Sequence, residues 1–283
     1  MKNIIDIIVH AYTGYWNYLV HEITHPSWTN YLYWLVGLSL AVWFLEIVVP
    51  WRKNQGKIRK DFWIDVWYMF FNFFIFSLVI YNAASDVVVE FVRPYVPAGF
   101  IDVRTAPAWL QLLIMFVVRD FLQWNIHRLL HRVPFLWKVH QVHHSVEEMG
   151  FAAHLRYHWG ETIVYRTLEY LPLAAFGFGL DSFFLVHIIS LAIGHLNHAN
   201  IYLPIGPLRY IFNTPQMHIW HHAETQPKNS YGTNYGLSLS LWDYLFGTAW
   251  IPGDGRDVKL GFDTIASYPR SFWRQLIAPW RRG

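Results

Sequence analysis

Histidines are concentrated in two segments of this 283-residue chain. Residues 127–144 read HRLLHRVPFLWKVHQVHH and residues 218–222 read HIWHH, so the spacing H-x-x-H-H occurs twice. On a helix, positions i, i+3 and i+4 share one face, so each copy presents three imidazoles side by side. Neutral imidazole is the side chain that most often binds metals near neutral pH. The spacing therefore predicts metal binding by His127, His131, His140, His143, His144, His218, His221 and His222.

Two further histidines, His195 and His198, stand three positions apart and so lie on one helical face. With them, nine or ten clustered histidines are available, whereas a single zinc or iron takes three or four protein ligands. The chain contains no cysteine, so any metal must be held by nitrogen and oxygen atoms. The number of ligands fits two ions. It leaves open whether the ions activate water for hydrolysis or dioxygen for oxidation.

Another spacing of histidines lies near the N-terminus, where His21, Glu22 and His25 form H-E-x-x-H. In zinc proteases this spacing places two ligands and a general base on one helical face. Pro26 follows directly and limits how far a helix can continue. No other part of a protease site is present, and we interpret these residues as polar groups at a helix end. A membrane metallohydrolase and a non-enzymatic metal-binding protein are kept as alternatives.

The composition is typical of a membrane protein. Hydrophobic residues make up 54% of the chain and charged residues 14%, against about 25% charged residues in a typical soluble domain. The net charge of +3 comes largely from clustered basic segments, which favours contact with lipid head groups over nucleic-acid binding. The first residues lack the pattern of a cleavable signal sequence, because Asp6 and His10 interrupt the apolar run.

Apolar runs predict the helices that position the histidines. The predicted segments are an interfacial helix at 4–20, spans at 31–49, 62–82 and 108–126, and a hairpin of two short helices at 163–199. The basic loop 51–61 faces the cytoplasm by the positive-inside rule, which puts the N-terminus outside. This topology brings all the histidine clusters to the cytoplasmic side of the membrane.

The third predicted span runs directly into the first histidine pair. Asp120, Trp124, His127 and His131 fall at i, i+4, i+7 and i+11, which is one stripe of a continuing helix. An aspartate on that stripe needs a partner near lipid. Asp120 could accept a hydrogen bond from a ligand histidine, or it could pair with the neighbouring Arg119; the sequence leaves both open.

Three histidine boxes resemble those of the fatty acid hydroxylase/sterol desaturase superfamily. They are His127-Arg-Leu-Leu-His131, His140-Gln-Val-His143-His144 and His218-Ile-Trp-His221-His222. The resemblance extends through Arg119-Asp120-Phe121, His144–Glu148, His198-Ala-Asn, Gly206-Pro207-Leu208, Phe212–Pro215, Asn234-Tyr235-Gly236 and Leu241–Thr248, about residues 108–250. Within the superfamily the chain is most similar to bacterial alkylglycerol monooxygenase-like proteins.

The resemblance implies an integral-membrane enzyme with two irons, although purified protein could carry zinc. Oxygen and two external electrons would hydroxylate a C–H bond of a fatty acyl, alkyl-glycerol ether or sterol-like lipid; desaturation is the alternative. The eight box histidines and His198 carry over as ligands, and His195 is a further candidate. His158 is a possible ligand in a stretch where Trp159 replaces the usual proline. Asp120, Asp243 and Asn213 are candidates for contacts that orient the ligands.

The expected fold is all-α: a membrane bundle of about four or five helices or hairpin segments with the metal site on the cytoplasmic face, in a bacterial inner membrane. Residues 1–107 would hold the interfacial helix and the first two spans, 108–250 the catalytic domain and 251–283 a basic tail. No haem, flavin or nicotinamide motif is present. Electrons would therefore come from a separate electron-transfer protein or a reduced pterin, and the substrate would be a lipid within the membrane.

Overall fold

The computed structural model describes residues 3–76, 103–175 and 180–280, and this part of the chain is helical, without strands. The helices are α1 (Ile4–Thr24), α2 (Tyr31–Val48), α3 (Phe62–Phe70), α4 (Ala108–Arg132), α5 (Pro134–His144), α6 (Trp159–Ala175), α7 (Leu180–His198), α8 (Pro215–His221), α9 (Leu241–Leu245) and α10 (Phe272–Gln275). A π-helical turn, Phe71–Ile75, extends α3. The predicted all-α class is confirmed.

The first two histidine boxes lie on either side of a sharp corner. As the apolar pattern predicts, α4 continues through His127 and His131, and it ends at Arg132. Val133 is extended (φ −93°, ψ 116°), the conformation favoured before a proline. Pro134 begins α5, where its missing N–H costs no hydrogen bond. The corner turns the second box back towards the first.

Two apolar cores hold these helices in place. Leu35 of α2, Phe62 of α3 and Leu191 of α7 are buried together with Phe151, which lies in the 3-10 turn Phe151–Leu155. A second core joins Met115, Leu173 and Val186 and so fixes α4, α6 and α7 to one another. Full burial of such a side chain stabilises the fold by roughly 1.5–3 kcal/mol. The histidine-bearing helices are therefore positioned by packing at several points.

The third box lies on a helix with a defined start. Thr214 precedes α8, and its side chain accepts a hydrogen bond from the Met217 N–H at 3.2 Å. Pro215 occupies the first turn, where a proline is favoured. The chain then returns through residues 223–240 to α9, and this return segment covers the histidines with backbone carbonyls.

One helix in the described part of the chain, α2, is both long and apolar enough to cross a membrane. Many of its large apolar side chains are exposed, among them Leu40 (56%), Phe44 (63%) and Val48 (56%). A core helix of a soluble protein would bury these groups. The shorter apolar helices are Phe62–Ile75 and Phe184–His198.

The other predicted spans correspond to helices that, within the described residues, are not both long and apolar enough to cross a membrane. α4 covers the predicted span 108–126, and α6 and α7 correspond to the predicted hairpin at 163–199, whose connection at 176–179 lies outside the described residues. The end of the predicted span 62–82 and most of residues 83–107 also lie outside them. The multi-pass arrangement and its orientation remain predictions, as do the domain boundaries.

Candidate metal centre

Nine buried histidines form two adjacent groups, the two places in the described part of the chain where three or more potential metal ligands converge. Within each group the ligand atoms lie within 4.8 Å of one another. The five-histidine group consists of His127, His131, His140, His144 and His221. The four-histidine group consists of His143, His198, His218 and His222. The predicted box histidines and His198 are thus brought together from α4, α5, α7 and α8.

Each H-x-x-H-H box contributes to both groups. In the second box, His140 and His144 join the five-histidine group while His143 joins the other. The third box does the reverse: His218 and His222 join the four-histidine group, and His221 crosses over. At about 100° per residue, positions i and i+4 differ by roughly 40°, whereas i+3 and i+4 differ by roughly 100°. The spacing therefore aims a pair at one site and a single imidazole at its neighbour.

Fixed acceptors hold the outer nitrogen of six of these rings. The Nδ1–H of His127 donates to the Tyr235 carbonyl at 2.8 Å, and that of His221 to the Thr233 carbonyl at 2.7 Å. The remaining acceptors are the carbonyls of Tyr231 for His131 (3.1 Å), Arg156 for His143 (3.1 Å) and Gly194 for His198 (2.8 Å), and Glu161 Oε2 for His140 (3.0 Å). A ring that donates through Nδ1 keeps its lone pair on Nε2, facing the group.

The inner nitrogens fit a bound cation. The Nε2 atoms of His131, His144 and His221 are buried without a hydrogen-bond partner among the described residues. Elsewhere Nε2 atoms face each other: His127 and His140 at 3.1 Å, His198 and His218 at 3.0 Å. Metal–nitrogen bonds of about 2.0–2.1 Å place two ligands of one ion about 3.0–3.4 Å apart. Both observations suit a donor set arranged around metal ions.

Burial keeps these imidazoles in the neutral, metal-binding form. Desolvation lowers the pKa of His127 to about 3 and that of His143 to about 4, because the imidazolium loses its hydration. The same cause holds the pKa of His140, His144 and His221 well below the ordinary value of 6.5. The centre can therefore offer lone pairs to a metal without first releasing protons.

Glu161 is a carboxylate at the edge of the five-histidine group that the sequence does not single out for this contact. Its Oε2 accepts from His140 Nδ1, and burial raises the pKa of Glu161 well above its ordinary value. A cation on the opposite nitrogen of His140 would balance a negative charge here. The available signal was its position three residues after His158, in the stretch where Trp159 replaces the usual proline.

Two other candidate histidines lie outside both groups. His195 Nε2 is 3.1 Å from Ser39 Oγ, and its Nδ1 is 2.9 Å from His154 Nδ1. His158 accepts from the Gly160 N–H at 2.9 Å and donates through Nε2 to the Leu276 carbonyl, also at 2.9 Å. Both nitrogens of each ring are thus engaged by protein atoms. These contacts assign His195 and His158 to packing around the centre.

Asp120 has neither of the partners that the sequence suggested. It accepts hydrogen bonds from the backbone N–H groups of Ser238 (2.9 Å) and Leu239 (3.2 Å) and from Trp242 Nε1 (2.9 Å). Arg119 pairs instead with Glu169, at 2.6 Å. Both carboxylate oxygens of Asp120 thus accept hydrogen bonds from residues more than 100 positions away in sequence. The hypothesis of a direct bond to a ligand histidine or to Arg119 was wrong.

Asp243 and Asn213 act on the ligands through the return segment. Asp243 accepts from the N–H groups of Tyr235 (2.9 Å) and Gly236 (2.8 Å), and so fixes the carbonyl that receives His127. It lies inside α9 and is not its N-cap. Asn213 donates to the Gly236 carbonyl at 2.6 Å. None of these hydrogen bonds joins Asp243 or Asn213 directly to a histidine.

The H-E-x-x-H residues do not belong to either group. His21 and His25 are exposed, and their rings stack on each other at 4.6 Å. His25 lies beyond the last residue of α1, and its Nδ1 is 2.7 Å from Thr24 Oγ1. Glu22 is buried away from solvent and faces the Leu32 N–H at 3.5 Å. The interpretation as polar residues at a helix end agrees with this placement.

A cavity of about 170 Å³ adjoins both groups. His127 and His140 line it from the five-histidine group, and His143 and His198 from the other. Eight residues before His127 on α4, Arg119 lines the same cavity, as does Glu169 on α6. Eight residues of helix span about 12 Å. The cavity therefore extends from the histidines towards the middle of α4 and α6.

Comparison with known proteins shows what the region around this centre is similar to. Residues 112–248 match the fatty acid hydroxylase family model. The resemblance inferred from the boxes is thereby confirmed. The matched segment contains all nine histidines of the two groups.

Curated relatives carry the names of lipid-modifying enzymes. Ornithine lipid hydroxylase OlsE of Rhizobium tropici is 32% identical over 176 residues, covering 62% of this chain and 52% of that protein. Alkylglycerol monooxygenase of Danio rerio is 34% identical over 226 residues, 76% of this chain and 46% of that protein. Very-long-chain aldehyde decarbonylase GL1-10 of Oryza sativa subsp. japonica is 28% identical over 238 residues, 78% and 75% respectively. The chain spans about half the length of the first two. No solved structure matches it significantly.

Proposed function

We propose that this chain is a di-iron, O2-dependent membrane oxygenase that hydroxylates a C–H bond of a lipid. The observation that carries the proposal is the pair of adjacent, buried histidine groups next to a cavity, with neutral rings of which six have a fixed outer nitrogen. Iron held there would supply the activation of dioxygen. The overall reaction consumes the lipid, O2, two electrons and two protons, and yields the alcohol and water.

The residues of the chain have distinct parts in this proposal. The nine grouped histidines hold the two ions, five around one and four around the other. His195 orients His154 and Ser39 beside the centre instead of binding metal. The carbonyls of Tyr231, Thr233 and Tyr235 keep three rings in the tautomer that presents Nε2. The buried surroundings exclude bulk water from the metal-facing side.

The membrane placement extends the proposal. The exposed apolar surface of α2 contacts lipid, further spans follow the predicted positions, and the centre faces the cytoplasm of a bacterial cell. The substrate enters from the membrane and the electrons come from a separate protein or a reduced pterin. Relatives named as hydroxylase and monooxygenase support this reading.

Two alternatives differ in what they predict. A desaturase of the same superfamily would use the same centre and yield an alkene from the lipid, so product analysis separates it from a hydroxylase. A metallohydrolase built on His21, Glu22 and His25 would need those residues for activity. His21 and His25 are exposed, and none of the three residues belongs to a group of three or more ligands in the described part of the chain, which argues against it.

The test is metal content and oxygen-dependent lipid oxidation by detergent-solubilised protein, with His143→Ala beside the wild type and His25→Ala as the matched control. We expect about two irons per chain in the wild type and in His25→Ala. His143→Ala should lose metal and oxidation together. Two zincs with no oxygen consumption after iron reconstitution would refute the oxygenase and favour a hydrolase or a structural site.

A further inference from the structure

A second cavity, of about 110 Å³, lies where α2 ends and the basic loop 51–61 begins, and we call it the basic pocket. The charged residues that line it are Glu46, Lys53, Lys57 and Arg59. Lys53 and Lys57 are exposed, and neither ammonium group has a hydrogen bond or an ion pair with the residues that the structure describes. None of the grouped histidines lines the basic pocket, so it is separate from the metal centre.

The other two charged groups of the basic pocket are engaged by the protein. Glu46 Oε1 accepts hydrogen bonds from the backbone N–H groups of Phe151 at 2.9 Å and Asn200 at 2.7 Å. Arg59 forms an ion pair with the buried Asp65. With three cations and one carboxylate on its wall, the pocket has an excess of positive charge. The two lysines are the groups left to attract an anion.

The loop that carries the lysines is held against the helices around it. Trp43 Nε1, on α2, donates to the Lys57 carbonyl at 3.2 Å. The Arg52 N–H donates to Asn200 Oδ1 at 2.8 Å, just beyond the end of α7. The backbone on either side of the pocket is thus fixed before a ligand arrives. Binding then has less of the loop to order, which lowers its entropic cost.

Apolar side chains continue from the basic pocket along the outside of α2. Ile47 lines the pocket, and Phe44, Val48 and Val49 beside it are exposed. Trp63, in the first turn of α3, is also exposed. Tryptophan is enriched where a membrane meets water. A ligand with an anionic head and hydrocarbon chains would match both the charge of the pocket and this surface.

We propose that the basic pocket binds the phosphate group of an anionic membrane phospholipid, whose acyl chains lie against the exposed side of α2. Basic pockets at the cytoplasmic end of membrane helices suit such head groups. A free phosphate ion carries the same charge but makes no use of the apolar surface, so we assign the site to a lipid. The inference rests on the membrane placement proposed for α2 and not on the oxidation reaction.

Counting the lipids bound to each chain tests the inference. Detergent-solubilised protein is titrated with dioleoylphosphatidylglycerol or with the zwitterionic dioleoylphosphatidylcholine, and native mass spectrometry reports the complexes. The wild type should bind one phosphatidylglycerol more tightly than phosphatidylcholine. The double variant Lys53→Gln/Lys57→Gln should weaken phosphatidylglycerol binding by roughly 30-fold, about fivefold for each charge. The matched variant Lys138→Gln/Lys228→Gln removes two exposed lysine charges outside the pocket and should bind like the wild type.

Thermal unfolding separates a lipid site from a site for free phosphate. Phosphatidylglycerol should raise the unfolding temperature of the wild type by several degrees, because a ligand that binds only the native state stabilises it. It should raise that of Lys53→Gln/Lys57→Gln much less. Without lipid the two proteins should unfold at the same temperature, since neither lysine has a partner to lose. Equal stabilisation of the wild type by inorganic phosphate would overturn the assignment to a lipid.

Three further outcomes bear on the inference. Unchanged phosphatidylglycerol binding by Lys53→Gln/Lys57→Gln would overturn it. An equal loss in Lys138→Gln/Lys228→Gln would also overturn it, because the attraction would then belong to the net charge and not to the pocket. Selective binding by protein whose iron form oxidises no lipid would support the pocket and refute the proposed oxygenase alone.

Discussion

The H-E-x-x-H segment of α1 and the H-x-x-H-H boxes carry histidines at similar helical spacing, yet they differ in everything else that makes a metal site. In the boxes the rings are buried, and most outer nitrogens donate to a fixed carbonyl or carboxylate. At the end of α1 the two rings are exposed and stack on each other. Spacing brings imidazoles together, but burial and an acceptor for Nδ1–H select the tautomer and keep the lone pairs unprotonated.

The largest expected effect contrasts one histidine from each region. His221→Ala removes a ring of the five-histidine group whose Nε2 is buried and unpartnered. We expect the variant to lose about one metal ion per chain. The rate of lipid oxidation should fall by several orders of magnitude. His21→Ala, in the H-E-x-x-H segment, should change neither. Elemental analysis and product formation measure both variants, and loss of activity in His21→Ala would reverse the comparison.

The sharing of each H-x-x-H-H box between the groups gives the next test. His144→Ala should empty the five-histidine group and His143→Ala the four-histidine group, although the two residues are adjacent in sequence. Cobalt-substituted protein would show this as the loss of one of two distinct absorption spectra. If both variants lost the same signal, the division into two ions would be incorrect.

Glu161 tests whether the acceptor of the outer nitrogen matters as much as the ligand. Glu161→Gln keeps the shape of the side chain and replaces the carboxyl group that His140 Nδ1 faces with an amide. Such contacts typically change metal affinity by about 10- to 100-fold. We expect a loss of that size in competition with a chelator. Glu224→Gln, whose parent carboxylate pairs with Lys259 at the surface, is the control and should retain full affinity.

Asp243 allows the return segment to be perturbed without touching a histidine. Asp243→Asn loses one of the two oxygens that hold the N–H groups of Tyr235 and Gly236. We expect the free energy of unfolding to fall by about 1–3 kcal/mol, with metal binding weakened because the Tyr235 carbonyl shifts away from His127. Denaturant unfolding of the zinc-loaded protein measures the change. An unaltered midpoint of unfolding would mean that the return segment is held by its other contacts.

The sequence was sufficient to predict the helices and the nine grouped histidines, because both follow from local periodicity. It did not predict the acceptors of the outer nitrogens, since the backbone carbonyls of Tyr231, Thr233 and Tyr235 have no side-chain signature. The partner of Asp120 was also missed, because it lies 118 residues away in sequence and only the fold brings it near. The division of each H-x-x-H-H box between two groups follows from the 100° helical step, so the sequence could have predicted it.

The smallest expected effect concerns His195, which lies three residues before a grouped histidine and has both ring nitrogens engaged by Ser39 and His154. His195→Gln should retain both metal ions, because neither nitrogen faces a group. The loss of its two hydrogen bonds should lower the free energy of unfolding by about 1 kcal/mol. His198→Gln, the matched variant on the same helix, should lose metal from the four-histidine group. Equal metal loss in the two variants would make His195 a tenth ligand and return it to the centre, as its spacing alone suggested.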